Sequence, residues 1–433
     1  MKTNLSNAKW SAVPHQINSV AINDDGSRCV YGSSYERGSG FFYTYLYDGD
    51  GNLIWRKPIV NNKPIYQGVF WVAISGNGQF VASGGETADT DPQTQTSTPG
   101  FLQAFQADTG EQLINISLSD RINQVSLSQD GQYLAVCYGK NIEVYQLKQN
   151  LVNSSEPINS YESIYKYTSP NFSINSCVIS YDGSTIIASG IAYSDGSDAS
   201  INQTNEQAEV ATTGTVLSYI VSDGVVSSLG VHELNSGSMR VAVTADGKHW
   251  AASLHDGSCA LFSFDNPSEK TWQCTPPQTN LMLAYAVDIT QTDQGDVYVA
   301  CGANLSGNGP GGFLYLVKSV AVEFSNNHSK DGYPINQKQG VIQWSQELQF
   351  GVNPGVTMDK NANFVTATDG KPVGQTIEES AGSFYLFNGT TSDLIWQQKT
   401  TMMNWPMMLS RDGSSVVGGS DDGSFFYWKT PQA

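Results

Sequence analysis

Apolar and polar residues alternate in short runs along the whole chain, and the runs come in pairs. In each pair an alternating run ends in a few polar residues and then Asp-Gly or Asn-Gly, and a second apolar run follows that closes on small residues. Period-two alternation marks a half-buried strand, and Asp-Gly or Asn-Gly supplies the positive φ of a tight hairpin turn. The pattern occurs eight times, as VAINDDG (20–26), VAISGNG (72–78), VSLSQDG (125–131), CVISYDG (177–183), VAVTADG (241–247), VDITQTDQG (287–295), VTMDKNAN (356–363) and MMLSRDG (407–413). The sixth copy carries extra residues and the seventh lacks the glycine.

A third apolar run follows each hairpin, as in GFFYTYLY (40–47), GFLQAFQ (100–106) and GSFFYWK (423–429). A fourth, often marked by tryptophan, completes the repeat, with Trp55, Trp272, Trp344 and Trp396 as examples. Four strands per repeat at spacings of 46 to 69 residues describe the blades of a propeller. The eighth repeat ends after three strands, which leaves an open edge. The N-terminal segment around Trp10 has the character of a fourth strand and precedes the first repeat. The expected fold is therefore all-β: one eight-bladed β-propeller of four-stranded antiparallel blades, spanning 1–433, closed by the strand around Trp10, with seven blades as the alternative. Its expected parts are the closing strand at 1–16 and blades at 17–67, 68–118, 119–170, 171–236, 237–279, 280–350, 351–400 and 401–433.

The hairpin motif resembles the bacterial WD40-like propeller repeat. YDGDGNLIW (47–55) and QADTGEQLI (106–114) resemble the turn between third and fourth strands of quinoprotein-like, PQQ-type blades. The resemblance covers nearly the entire chain and implies fold, because propellers host enzymes, lectins and scaffolds alike. Quinoprotein dehydrogenases hold their cofactor with an adjacent cysteine pair, and no Cys-Cys dipeptide occurs here. That activity is not expected, and no cofactor is implied. The Gly-His and Trp-Asp series of eukaryotic WD40 repeats is also lacking.

Charge narrows the partners. With 40 acidic and 22 basic residues the net charge is −18, with no basic cluster, which argues against nucleic acid. No run reaches the ~20 apolar residues of a membrane helix, so membrane insertion is not expected. The opening MKTNLSNAKW has neither the apolar core nor the cleavage site of a signal peptide. Low charge density and a polar surface resemble secreted or periplasmic bacterial propellers, so that is the expected placement, with the cytoplasm as alternative.

Candidate chemistry is sparse. The five histidines show no metal-ligand spacing. Asp48, Asp50 and Asn52 alternate with glycines like a calcium loop but lack a closing glutamate, and a plain turn accounts for them. Four cysteines, Cys29, Cys137, Cys177 and Cys301, fall where small apolar residues pack. Cys259 and Cys274 flank the turn at 265–268, which leaves two outcomes open: a disulfide, implying an oxidising compartment, or opposed thiols in a reduced protein.

The connections between second and third strands are long at 33–39, 86–99, 192–213, 303–311 and 369–381, and long loops on one side of a rigid scaffold are where binding residues concentrate. The segment 319–339 lies toward the opposite face. First strands start from the long-loop side, so the residues opening each one should surround the channel mouth. These are Asn18, Phe70, Trp71, Asn123, Gln124, Asn175, Met239, Arg240, Tyr285, Asn353, Asn404 and Trp405. Amides with aromatics suit a neutral polar ligand such as a sugar or peptide, and Arg240 would orient a carboxylate. The alternative for Phe70, Tyr285 and Trp405 is packing between blades. Asp288 is the one unexpected charge inside a first strand, either a functional carboxylate or an acceptor for backbone N–H groups. The expected function is non-catalytic binding of a protein, peptide or glycan on the long-loop face. One rival is a hydrolase or lyase using Asp288 or the acids Glu86, Asp89, Asp91, Glu378 and Glu379, and another is a structural subunit of a larger assembly.

Overall fold

The computed structural model describes residues 9–12, 15–60, 63–88, 98–150, 158–193, 212–278, 280–305, 311–322, 337–352, 355–371 and 381–431. Among them every regular element is a strand, and every strand pairing is antiparallel. Six sheets have four strands each, in the order expected of consecutive meanders. Asn353, Asp89, Asp91, Glu378 and Glu379 lie outside the described residues.

The hairpin motif explains its own turn. In SQDG the Ser128 hydroxyl donates to Asp130 and accepts from the Tyr133 N–H, while Asp130 accepts from Gln132 N–H. Ser180 with Asp182 and Ser410 with Asp412 repeat this network. The following glycine takes a positive φ, for example 70° at Gly131, which a Cβ makes costly. In the seventh repeat Ala362 holds that conformation, with φ of 54°.

The second and third strands are the most buried, with Phe80–Glu86 and Ser415–Ser420 enclosed along their whole length and Gly100–Gln106 and Ala381–Asn388 along nearly all of theirs. Fourth strands such as Gln112–Leu118 alternate between buried and exposed positions, as an outer edge should. Apolar clusters lie between adjoining sheets: Leu102, Leu134, Val136 and Tyr138 share one, and Cys259, Leu261, Val299 and Tyr315 another.

One feature differs from the reading of the sequence. The segment 33–39, expected as a loop, is the far half of a 13-residue strand, Arg28–Gly40. Its end pairs with the start of the next repeat, Ser34 with Gly68 and Gly40 with Ile65, so the first two repeats share one eight-stranded sheet. For the cysteines, two outcomes were open. Cys259 and Cys274 are direct cross-strand partners, but all six cysteines are free and buried. The Cys259 thiol is hydrogen-bonded to Cys301, which, together with burial, pushes its pKa well up.

At the other end of the chain, Lys9–Ala12 pairs antiparallel with Ser424–Lys429, with Ser11 opposite Phe425 and Ala12 opposite Ser424. Repeat 8 also touches repeat 1: the Asp412 N–H donates to the Asp24 carbonyl, and the Tyr427 hydroxyl to the Gly26 carbonyl.

Candidate functional site

Seven first strands break register at one repeat position. The breaks fall between Ile17 and Ser19, Val69 and Trp71, Ile122 and Gln124, Ile174 and Ser176, Ser238 and Arg240, Met282 and Ala286, and Asn404 and Met407. The residues left without a cross-strand partner include Asn18, Phe70, Asn123, Asn175, Met239, Tyr285 and Trp405. A bulge turns its side chain out of the pleat, so one backbone irregularity, repeated around the fold, presents most of the residues singled out from the sequence.

These side chains bind one another across repeats. The Arg240 guanidinium, from repeat 5, lies 4.9 Å from the Trp71 ring centroid of repeat 2, and its Nη1 donates to the Asn175 carbonyl of repeat 4 at 2.8 Å. Contact between repeats so far apart in sequence means that the first strands converge. Arg121, which sequence reasoning passed over, lies 4.6 Å from the Phe70 ring and donates to Asn123 Oδ1 at 3.4 Å. Asn123 Nδ2 in turn donates to the Ile174 carbonyl at 2.9 Å. Burial lowers the Arg240 pKa, with the thiol of Cys137 and Tyr285 opposing and Arg121 adding to the shift.

The remaining positions divide. Gln124 is buried and accepts from the Ser176 hydroxyl at 2.6 Å, and Asn404 is buried against the Thr400 hydroxyl at 3.0 Å. Both are structural contacts within the wall. Phe70, Tyr285 and Trp405 are half-buried, and the apolar clusters among the described residues do not include them. Trp71 packs partly into the cluster around Leu102. The buried Asn18 Oδ1 and Trp405 Nε1 have no hydrogen-bond partner.

Asp288 belongs to a different device. Its Oδ2 accepts the Met358 N–H of the next repeat at 2.7 Å and its Oδ1 the Ile289 N–H at 2.9 Å. Hydroxyls do the same elsewhere: Ser19 accepts from Val72, Ser126 from Ile179, Ser176 from Val241 and Thr357 from Leu409. The carboxylate is a staple between neighbouring first strands, and burial raises its pKa to about 6. Glu86 is buried in the last strand position before its loop. The 48–52 loop is also self-satisfied, since Asp48 accepts from the Asp50 and Asn52 N–H groups and from the Asn52 amide.

The far ends of the first strands form a second constellation. The residue just before the Asp of the Asp-Gly turn is Asp24, Gln129, Tyr181 and Arg411 in repeats 1, 3, 4 and 8. The Tyr181 hydroxyl donates to the Asp24 carboxylate, and Arg411 sits 4.6 Å above the Tyr181 ring. Burial raises the Asp24 pKa, against the pull of Tyr181 and Arg411. The sequence signal was the one variable position inside an otherwise regular turn.

Antiparallel strand meanders repeated at this spacing, with contacts between first strands of distant repeats, identify the architecture. This is a WD40-like β-propeller fold. The Sqt1 protein of Saccharomyces cerevisiae, a WD40 β-propeller, superposes with a TM-score of 0.57 over 99% of this chain and 100% of that one, at 9% identity. At that identity the WD40-like likeness speaks for fold alone. No family model and no curated protein matches the chain.

Proposed function

We propose that this chain is a non-catalytic interaction scaffold: a closed eight-bladed ring, with Lys9–Ala12 completing the last blade, that engages a protein partner where the bulged first-strand residues converge. The observation that carries this reading is the repeated bulge. It takes Asn18, Phe70, Asn123, Asn175, Tyr285 and Trp405 out of the strand pairing at one repeat position, the one expected to line the channel mouth. Half-buried aromatics set among amides are what interface centres use, because a large rigid ring gains contact area at little entropic cost. Supporting the ring are the Lys9–Ala12 pairing and the bonds from repeat 8 to repeat 1.

The test is a parallel capture from the source cells on immobilised wild-type chain and on a Tyr285→Ala/Trp405→Ala variant of unchanged melting temperature. A protein retained by the first and lost by the second, then shown to bind in purified form with at least tenfold weaker affinity for the variant, is the expected result. Identical retention on both would overturn the reading. Retention through a glycan, abolished by deglycosylating the captured protein, would replace the protein partner with a carbohydrate.

A further inference from the structure

The bulged end of the first strands holds two guanidiniums in a chain of net charge −18. Among the described residues Arg240 makes no ion pair. One donor, Nη1, is spent on the Asn175 carbonyl, and the Trp71 ring takes a face of the plane. Its Nε is buried and has no acceptor. Arg121 brings a second positive charge, one of those acting on Arg240. Phe70 and Trp71 are consecutive residues, so one bulged strand holds guanidiniums from repeats 3 and 5 at its two rings. A buried guanidinium donor without an acceptor, as at Arg240 Nε, is unfavourable until an acceptor joins it.

We propose that Arg240, backed by Arg121, is a carboxylate-binding site, and that the segment it takes is an acidic peptide. This deepens the scaffold reading and rests on it. A carboxylate is planar and singly charged, which matches a guanidinium edge with an open Nε. The field of a chain with eighteen excess negative charges disfavours a polyanion at the same place. Elsewhere along the first-strand bulges the buried Trp405 Nε1 lacks an acceptor and the buried Asn18 Oδ1 lacks a donor.

The experiment uses a library of short fluorescent peptides made in isosteric pairs, Glu against Gln, Asp against Asn, and free against amidated C-terminus, read by polarisation on the full chain. Inorganic phosphate and acetate serve as competitors. The expected result is at least tenfold preference for the carboxylate member of some pairs, competed by acetate better than by phosphate. Arg240→Met should abolish that preference and Arg240→Lys should retain part of it, with the melting temperature of each variant recorded. Should Arg240→Met fail to fold, Arg121→Met, which removes only the second charge, should still cut the preference severalfold. Equal affinity within every pair, no binding by any peptide, or a preference indifferent to both arginines would each overturn the proposal, and stronger competition by phosphate would reassign the site to an inorganic anion. A partner lost from the Tyr285→Ala/Trp405→Ala variant while the peptide pairs stay equal would leave the scaffold reading standing and this one refuted.

Discussion

The Tyr181 hydroxyl of repeat 4 donates to the Asp24 carboxylate of repeat 1, joining two turns that are 157 residues apart. Arg411 of repeat 8 covers the Tyr181 ring from the other side at 4.6 Å. Three repeats are thereby tied at the tight-turn end, as Arg240, Trp71 and Asn175 tie three at the opposite end. A hydrogen bond to a charged acceptor contributes about 1.5–3 kcal/mol, here reduced by partial exposure of both groups. Tyr181→Phe is therefore expected to lower stability by about 1–2 kcal/mol in urea unfolding. A double-mutant cycle with Asp24→Asn should show that most of the loss is shared, and strict additivity would mean that the two groups do not couple.

Asp288 and Asp369 make stability depend on pH. Each is raised to about 6 from its ordinary 3.8, mainly by burial. A carboxyl with a raised folded-state pKa binds its proton more tightly when folded. Its contribution is therefore fully present below the ordinary value and is lost as pH rises through about 6. Replacing Asp288 by threonine restores the hydroxyl staple that Thr357 provides in the next repeat. The variant should lose less stability than wild type between pH 4 and 7, by about 2–3 kcal/mol. Parallel pH profiles for the two proteins would show that Asp288 titrates normally.

Gly131 has both conformational and steric reasons to be glycine. Its φ is 70°, and a Cβ there would come within 2.1 Å of the Phe80 ring, which belongs to the neighbouring repeat. Left-handed backbone alone costs about 1–2 kcal/mol for an L-residue, and displacing a buried ring adds to it. Gly131→Ala should destabilise by roughly 2–4 kcal/mol, measured by the same unfolding assay. A change under half a kcal/mol would mean that the turn relaxes freely.

One junction is held differently from the rest. Turn-to-turn hydrogen bonds link repeats 1 to 2, 2 to 3, 3 to 4 and 4 to 5, through Asp24, Asn77, Gln129 and Asp182, and again 7 to 8 and 8 to 1 through Lys360 and Asp412. Asp293 links 6 to 7 through Asn361. Among the described residues no such bond joins the turns of repeats 5 and 6, where the sixth turn carries its extra residues. What holds that junction is apolar packing, with Cys259, Cys301 and Tyr315 at its centre and the Tyr315 hydroxyl on the Gly257 carbonyl at 3.0 Å. Hydrogen exchange should find the lowest opening free energy among first strands at Leu281–Gln291. Uniform protection of all first strands would contradict this.

Much of the architecture was legible because its causes are local. Alternation within six residues, a hydroxyl and a carboxylate at fixed offsets from a turn, and a glycine where φ is positive act through neighbouring atoms, so the eight hairpins could be read directly. Repetition also marked the residues that open each first strand, but it left pairs such as Phe70 with Trp71, Asn123 with Gln124 and Asn404 with Trp405, and the bulge that separates their members is visible only in the strand pairing. For Asp288 the sequence left two roles open, functional carboxylate or acceptor for backbone N–H groups, and could not choose between them, because its partner Met358 is 70 residues away.

What the sequence by itself determined is therefore the repeat: strand, turn, strand, strand, strand. Only the tertiary structure decided which repeats meet. The pairing of Ser34–Gly40 with the start of the next repeat, the choice of Cys301 over Cys274 by the Cys259 thiol, and the convergence of Arg121 and Arg240 on two adjacent rings all depend on how sheets stack. Stacking is set by the sum of many weak apolar contacts between residues distant in the chain, and no short stretch of sequence carries that sum.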